Sequence, residues 1–450
     1  MGKVLTNTAS EVLNAIKNSS TVYYKEHVPY CQPNAQSIMQ VGNIIMDDPM
    51  LLNEAVPTLV NRIGLVLVNK KLINNPWGRF KKGTMDYGST IEDIFVNIAS
   101  GASFDPEKAE SEVFKRKAPD VRSQFFVVNY KKVYKNTIEY AQLKQSFLSE
   151  TGILDLIEKI TSSLVDGEAF DEFLVMKYML ARQILDGKLK VVEVPAISTA
   201  NAKAIVSKVK EVSNKMTFPN SDFNLAGVIT KDEKTDQFLI DSSDFDAIAS
   251  VEVMASAFNL DKAEFSGINM LVDGFGELNL TRVSELLGDD YVEITDSELE
   301  ALNAIPAVLV SDDFFMIYDH FRSMETIRNP EGLYYNTLLH SWKIFATSAF
   351  AQACVFVPTT PAVVSVTVTP DTLTAPQGST LILQAAVVTS GFASKAVKWT
   401  SNTTGVTVSD SGIVSIAGTV ADNTTATITA TSVFDDTKYD TCVITVGSGE

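Results

Sequence analysis

The residues of this 450-residue chain whose types could do chemistry include three histidines, three cysteines and four pairs of adjacent aspartates. His27, His320 and His340 stand far apart, and no H-E-x-x-H sets two imidazoles one helical turn apart for a metal. A general base needs a partner that orients it; the sequence signals none, so each histidine reads as structural or surface. Cys31, Cys354 and Cys442 form no C-x-x-C and no even-numbered framework. That points away from zinc modules and disulfide scaffolds, toward a reducing compartment. Asp47-Asp48, Asp289-Asp290, Asp312-Asp313 and Asp435-Asp436 are sequence neighbours, which diverge along a backbone rather than close on one bond, so each pair is expected in a solvated turn. Asp273-Gly-Phe-Gly276 lacks the third glycine of a phosphate loop, and Glu277 would repel phosphate where backbone amides should meet it; it reads as a turn. No catalytic residue, cofactor site or metal site is expected.

Chemistry aside, composition bounds the molecule. At roughly 100 to 200 residues per domain the chain should hold two to four domains. With 45% apolar and 20% charged residues it is globular, not disordered. Lys plus Arg number 37 against 55 Asp plus Glu, a formal charge of −18, so most of the surface repels phosphate and does not suit wrapping nucleic acid. The opening MGKVLTNTASEVLNAIKNSS has no apolar core of a secretion signal, and the weakly polar run from Ile344 to Val357 is too short to span a bilayer. A soluble protein made in the cytoplasm is expected, with no membrane partner. Met1, Gly2 and Thr6 fit the short N-myristoylation pattern, which matters only where the transferase exists.

The elements follow from periodicity. Ile153, Ile157, Ile160 and Leu164 share a helix face that Gly167 is placed to end; a second helix runs from about Phe170 to Leu185 and closes at Asp186-Gly187. Ile205, Val209, Val212 and Met216 repeat the pattern until Pro219. Strand-like runs occur at Ile63 to Val68, Leu189 to Val194, Val308 to Val310 and Phe314 to Tyr318, and their mixture with helices indicates an α+β fold. After Pro358-Thr-Thr-Pro361 the character changes: the 89 residues from Ala362 hold 29 Ser or Thr, and stretches such as TATITAT alternate hydroxyl and apolar residues. That is the period of half-buried strands, expected as a sandwich of six or seven strands around Trp399.

Charge is uneven. Residues 61–90 carry six basic residues against one acid, net +5, whereas 231–300 carry four against eighteen, net −14. Opposite signs in one chain invite contact between copies; ordinary solvated faces are the plainer reading.

Two resemblances sharpen this. VTVTP (Val366 to Pro370), QGST (Gln377 to Thr380), VKWTS (Val397 to Ser401), VTVSDSGIV (Val406 to Val414) and the closing TCVITV resemble the group-two bacterial immunoglobulin-like domain. NRIGLVLVNKKLINNPWGRFKKG (Asn61 to Gly83) with GSTIEDIF (Gly88 to Phe95), AFNLDKAEFSG with LVDGF (Ala257 to Phe275), FFMIYDHFRSMETIRNPEGLYYN (Phe314 to Asn336) and HSWKIFATSAFAQACVFV (His340 to Val357) resemble the major capsid protein of the small phi-twenty-nine-like podoviruses.

The second resemblance implies the tailed-phage major capsid fold of the Hong Kong ninety-seven type, α+β, in a virion shell assembled in the host cytoplasm. It implies an N-terminal arm over 1–61, an extended hairpin loop over 62–100, a peripheral domain over 101–189 with a long helix, an axial domain over 190–310, a return to the peripheral domain over 311–357, a linker over 358–361 and the immunoglobulin-like domain over 362–450. Its partners would be further copies, in pentamers and hexamers, a separate scaffolding protein, a portal or connector, and packaged DNA held without sequence specificity. The loop residues Arg62, Lys70, Lys71, Trp77, Arg79, Lys81 and Lys82 are then expected to meet the next subunit. Lys81, Lys82, Asn74 and Asn75 are available for the Lys-to-Asn bonds some members of this fold form, although no sequence signal identifies the buried acid this needs. With only about 60 residues ahead of the loop, no large processed leader is expected. The other functional reading is an adhesin whose 362–450 domain contacts a host surface or glycan.

Overall fold

The protein is described by a computed structural model covering residues 9–67, 74–85, 90–101, 116–147, 152–249 and 268–447. Its first layer is helical: α1 (Ala9–Ser19), α2 (Val22–His27), α3 (Ala35–Asp47) and α4 (Pro49–Leu67). The Thr21 hydroxyl accepts from Tyr24 N and the Asn34 side chain from Ser37 N, so local polar residues start α2 and α3. Ile38, Val41 and Ile45, with Leu52, Val56 and Leu59, recur every three or four residues and are buried together with Leu13, Ile16 and Tyr24. Within the expected arm over 1–61, the described residues thus pack as a helical layer with a core of its own. The layer corrects the strand expected at Ile63 to Val68. α4 continues to Leu67, and Val68 lies outside the described residues; a short apolar run does not distinguish the last turns of a helix from a strand.

Beneath that layer lies a four-stranded sheet. β1 (Lys81–Thr84), β4 (Tyr130–Glu139), β9 (Phe315–Asn329) and β10 (Tyr334–Thr347) are ordered β1-β9-β10-β4, with β9 and β10 a long antiparallel hairpin and β1 parallel to β9. After the short α5 (Tyr140–Ser146), α6 (Gly152–Leu185) crosses the sheet as one 34-residue helix, roughly 50 Å long. Gly167 therefore does not end a helix; the apolar positions on both sides of it are buried, and that burial outweighs a glycine's cost of about 1 kcal/mol in a helix interior. α6 stops where expected. Gly187 has φ +65°, Gly187 N donates to Ile184 O and Lys188 N to Gln183 O, the paired closure that satisfies the last carbonyls.

A second, mixed sheet is ordered β5-β11-β8-β6-β7, from β5 (Lys190–Glu193), β6 (Gln237–Ser242), β7 (Ile268–Val272), β8 (Ala307–Ser311) and β11 (Ala353–Val357). β6, β8 and β11 are buried along their whole length. α7 (Ala202–Met216) buries Ile205, Val209, Val212 and Met216 against it, as the spacing required. Of residues 311–357, β9 and β10 belong to the first sheet, and 353–357 lie between β5 and β8 in the second. β2 (Ile91–Val96) and β3 (Val121–Phe126) form a separate antiparallel ribbon.

Among the described residues, every element from Ala362 onward is a strand. The sheet β13-β20-β19-β16 (Thr372–Ala375, Tyr439–Val446, Thr425–Ser432, Val397–Ser401) faces the pair β12-β15 (Ala362–Thr369, Gln384–Ser390) and the trio β14-β18-β17 (Thr380–Ile382, Ile413–Ile416, Val406–Val408) across a core containing Val368, Trp399, Val414, Ile428, Cys442 and Ile444. Trp399 is the large core residue expected there. Gly412, at φ +80°, lies under its ring, where a Cβ would come 2.4 Å from Leu383 O. Cys31, Cys354 and Cys442 are all buried and unbridged.

Candidate intersubunit surface and the charge cluster beneath it

The basic segment was expected to wait for a neighbour, and from residue 74 onward it is held by its own chain. Asn75 Oδ1 accepts from Trp77 N at 2.9 Å and turns the backbone so that the Trp77 ring is buried. There its centroid lies 5.5 Å from Phe173, 5.8 Å from Phe315 and 6.2 Å from Phe80. Arg79 is exposed but lies over the Phe238 ring, 5.2 Å from its centroid. A fully buried indole offers no surface to another molecule, so Trp77 is corrected from a contact residue to a core residue. Lys70 and Lys71 lie outside the described residues, and of Arg62 only the helical backbone is described.

Lys81 and Lys82 are also satisfied internally. Lys82 Nζ lies 2.9 Å from Asp312 Oδ2 and 3.0 Å from Asp313 Oδ1. Burial pulls the Lys82 ammonium down, but the two acids outweigh it and hold the amine above its ordinary value. Here adjacent carboxylates do converge, because a 3-10 turn over Asp312–Phe314 points both at one cation. The other pairs make no such cluster: Asp48 accepts from Tyr23 OH and Met50 N, and Asp435 from Thr437 N and Oγ1.

Lys81 enters a charge cluster between α6 and the first sheet. Lys343, on an inward position of β10 and only 3% exposed, lies 3.1 Å from Glu168, 2.9 Å from Asp319 and against Glu172. Lys81 Nζ is 3.0 Å from Glu172 and 2.7 Å from Asp319, and Arg322 Nε is 2.9 Å from Glu168. Ser341 Oγ donates to Glu168 and Asn75 Nδ2 to Glu172, each at 2.7 Å. Three cations meet three carboxylates and the lone pairs are hydrogen-bonded, the condition for keeping charges buried. Burial alone would push the Glu168 and Glu172 carboxyls up; Lys343, with Arg322 and Lys81, overrides it and holds both below the usual carboxylate range. Burial likewise pulls Lys343 down, and the three acids hold it well above the usual lysine value. This is the buried acid that the sequence did not reveal.

The expected hairpin over 62–100 is corrected as well: the strand that pairs with Ile91–Val96 is Val121–Phe126, and 62–67 are helical. One face of this ribbon is anchored. Ser348 Oγ donates to Asp93 at 2.8 Å, Ala349 N donates to Gln124 Oε1 at 2.9 Å, and Phe95 stacks on Phe350 at 5.5 Å. The opposite face is bare. Ile94 is 54% exposed, Val96 56%, Val121 52% and Phe125 62%, and the register (Val96↔Val121, Ile94↔Ser123, Glu92↔Phe125) sets them side by side. Alternation in IEDIFV and VRSQFF was the available signal; what hid the pairing was the 24 residues between the strands.

The histidines form no constellation: His27 Nδ1 meets Tyr23 O on the surface, and His320 stacks on Trp342. At Asp273–Gly276 the glycines make room for packing, since a Cβ on Gly276 would come 2.3 Å from Leu299 O. Among the described residues no group of His, Cys, Asp and Glu could hold a metal ion, and no helix is long and apolar enough to cross a membrane.

The chain, with its long helix across a hairpin-based sheet, its second mixed sheet and its ribbon, has the fold of tailed-phage capsid proteins. A chain of the capsid structure of Staphylococcus phage Andhra matches with a TM-score of 0.50 at 12% identity, covering 64% of this chain and 85% of that one. Within that class the chain belongs to the Phi29-like phage major capsid protein family, whose model matches residues 13–357. It is 34% identical to the major capsid protein of Bacillus phage B103 over 415 residues, covering 90% of this chain and 86% of that protein. It is 34% identical over 416 residues to the major capsid protein of Bacillus phage GA-1, covering 90% and 82%.

Proposed function

We propose that this phage major capsid protein closes its shell through the bare face of the 91–126 ribbon, which one copy lays against the next. The observation that carries this is the row Ile94, Val96, Val121 and Phe125, large apolar side chains left open on a ribbon whose other face is tied down. Fully burying such a side chain contributes ~1.5–3 kcal/mol, and a lone two-stranded ribbon has too little core to justify the exposure otherwise. Repetition of one modest contact around pentamers and hexamers then yields a stable particle. A scaffolding protein would guide closure and a portal would occupy one vertex. The charge of −18 supports enclosing DNA without a tight grip on its phosphates. The core around Trp399 and the alternating strands of the sandwich support reading it as an immunoglobulin-like domain.

The test is a purified double variant, Val96→Asp with Phe125→Asp, beside Ile382→Asp, which charges an exposed apolar position on the sandwich. The ribbon variant should keep the wild-type circular dichroism and lose particles in electron micrographs, while the sandwich variant keeps them. Wild-type particle yield from the ribbon variant would refute the contact.

A further inference from the structure

The linker 358–361 and the turn beside it are held by contacts to both parts of the chain. Ala393 N donates to Ser390 O at 3.3 Å, closing a tight turn whose two central residues, Gly391 (φ +61°) and Phe392 (φ +60°), are both left-handed. Such turns take Asn or Gly at these positions, and a bulky aromatic side chain there is strained. A strained residue persists when its surroundings demand it. Phe392 is half-buried against the core that α6 shares with β8 and β9, while its neighbour Ala393 is buried in the core of the sandwich. Consecutive residues thus feed two cores.

The receiving side is shaped to match. Gly187, the left-handed residue that ends α6, faces this turn so closely that a Cβ would lie 2.5 Å from Ala393 O and 3.0 Å from Ser394 Cα. On the linker, Thr360 Oγ1 donates to Glu193 Oε1 at 2.8 Å, tying it to β5. A Cβ on Gly391 would lie 2.8 Å from Thr360 O, so the same turn also presses on the linker.

We infer that the 390–394 turn is a bracket that seats the C-terminal sandwich on the end of the long helix, with Phe392 as the plug and Gly187 as the socket. The sandwich is then a fixed part of the subunit surface, and it presents the same face in every copy.

The experiment uses the full chain and three variants. Phe392→Ser removes the plug, and Gly187→Ala fills the socket. Gly227→Ala is the control, because Gly227 has nearly the same backbone (φ +63°) and nothing within 4 Å of its added Cβ. The readouts are proteinase K cutting within 358–361 and small-angle X-ray scattering. Phe392→Ser and Gly187→Ala should raise the cutting rate roughly tenfold or more and enlarge the maximum dimension, with Gly227→Ala matching the wild type. If Phe392→Ser leaves cutting and scattering unchanged, the bracket is refuted, whatever Gly187→Ala does. If Gly227→Ala loosens the linker as much as Gly187→Ala, the effect is backbone strain and the socket is refuted.

Discussion

At the scale of residues, Lys343 holds the most consequential position. It is the shared counter-ion of Glu168, Glu172 and Asp319, so Lys343→Met leaves buried carboxylates under-compensated and should cost on the order of 3–5 kcal/mol, read by urea unfolding. The pH dependence has a definite sign. The three carboxyls are held below their ordinary values, so their contribution is present above the unfolded carboxylate range and is lost as pH falls through the folded values. Lys343 is held above its ordinary value, so its contribution is present at neutral pH and lost only at strongly alkaline pH. The deficit of Lys343→Met should therefore shrink on acidification; a deficit constant from pH 7 to pH 3 would contradict the assignment. Asp241 on β6 behaves oppositely. Burial, with Asp246 nearby, raises its carboxyl to about 8, and that costs stability progressively as pH rises from its unfolded value. Asp241→Asn should raise the melting temperature at pH 8, with the gain fading below pH 4; no gain at pH 8 would show the carboxyl to be stabilised by a contact.

At the scale of elements, legibility tracked how local the determining forces are. α7 could be read because four apolar residues at helical spacing end at a proline, and the sandwich strands because hydroxyl and apolar residues alternate. The division of α6 at Gly167 was misread because a glycine breaks an isolated helix more readily than one clamped over a sheet. A Cβ there would meet Tyr134 at an ordinary 3.7 Å. Gly167→Ala should thus stabilise the protein by about 0.5–1 kcal/mol, seen as a higher urea midpoint; destabilisation would mean that the helix needs a flexible joint. The charge cluster was invisible for the opposite reason. Its members come from α6, β1, β9 and β10, and only an inward-facing lysine in β10 and two glutamates one turn apart on α6 hint at it. Trp77 was assigned to an outer contact for want of knowing that Phe173, Phe238 and Phe315 converge around residues 77–80.

At the scale of the whole molecule, two cohesive units share one subunit: a body that carries the family match to its last strand, and a sandwich that begins after four intervening residues. The positive segment's described part from Asn75 to Lys82, which looked like an outward clasp, is the mortar of the body, and the ribbon beyond it carries a row of uncovered apolar side chains. The three cysteines bear on how such subunits hold together. Each thiol lies inside a core, where burial pushes its ionisation up and keeps the reactive thiolate scarce. Buried thiols are poorly placed to staple one copy to another, so a particle built from this chain should keep its cohesion in oxidising and reducing surroundings alike.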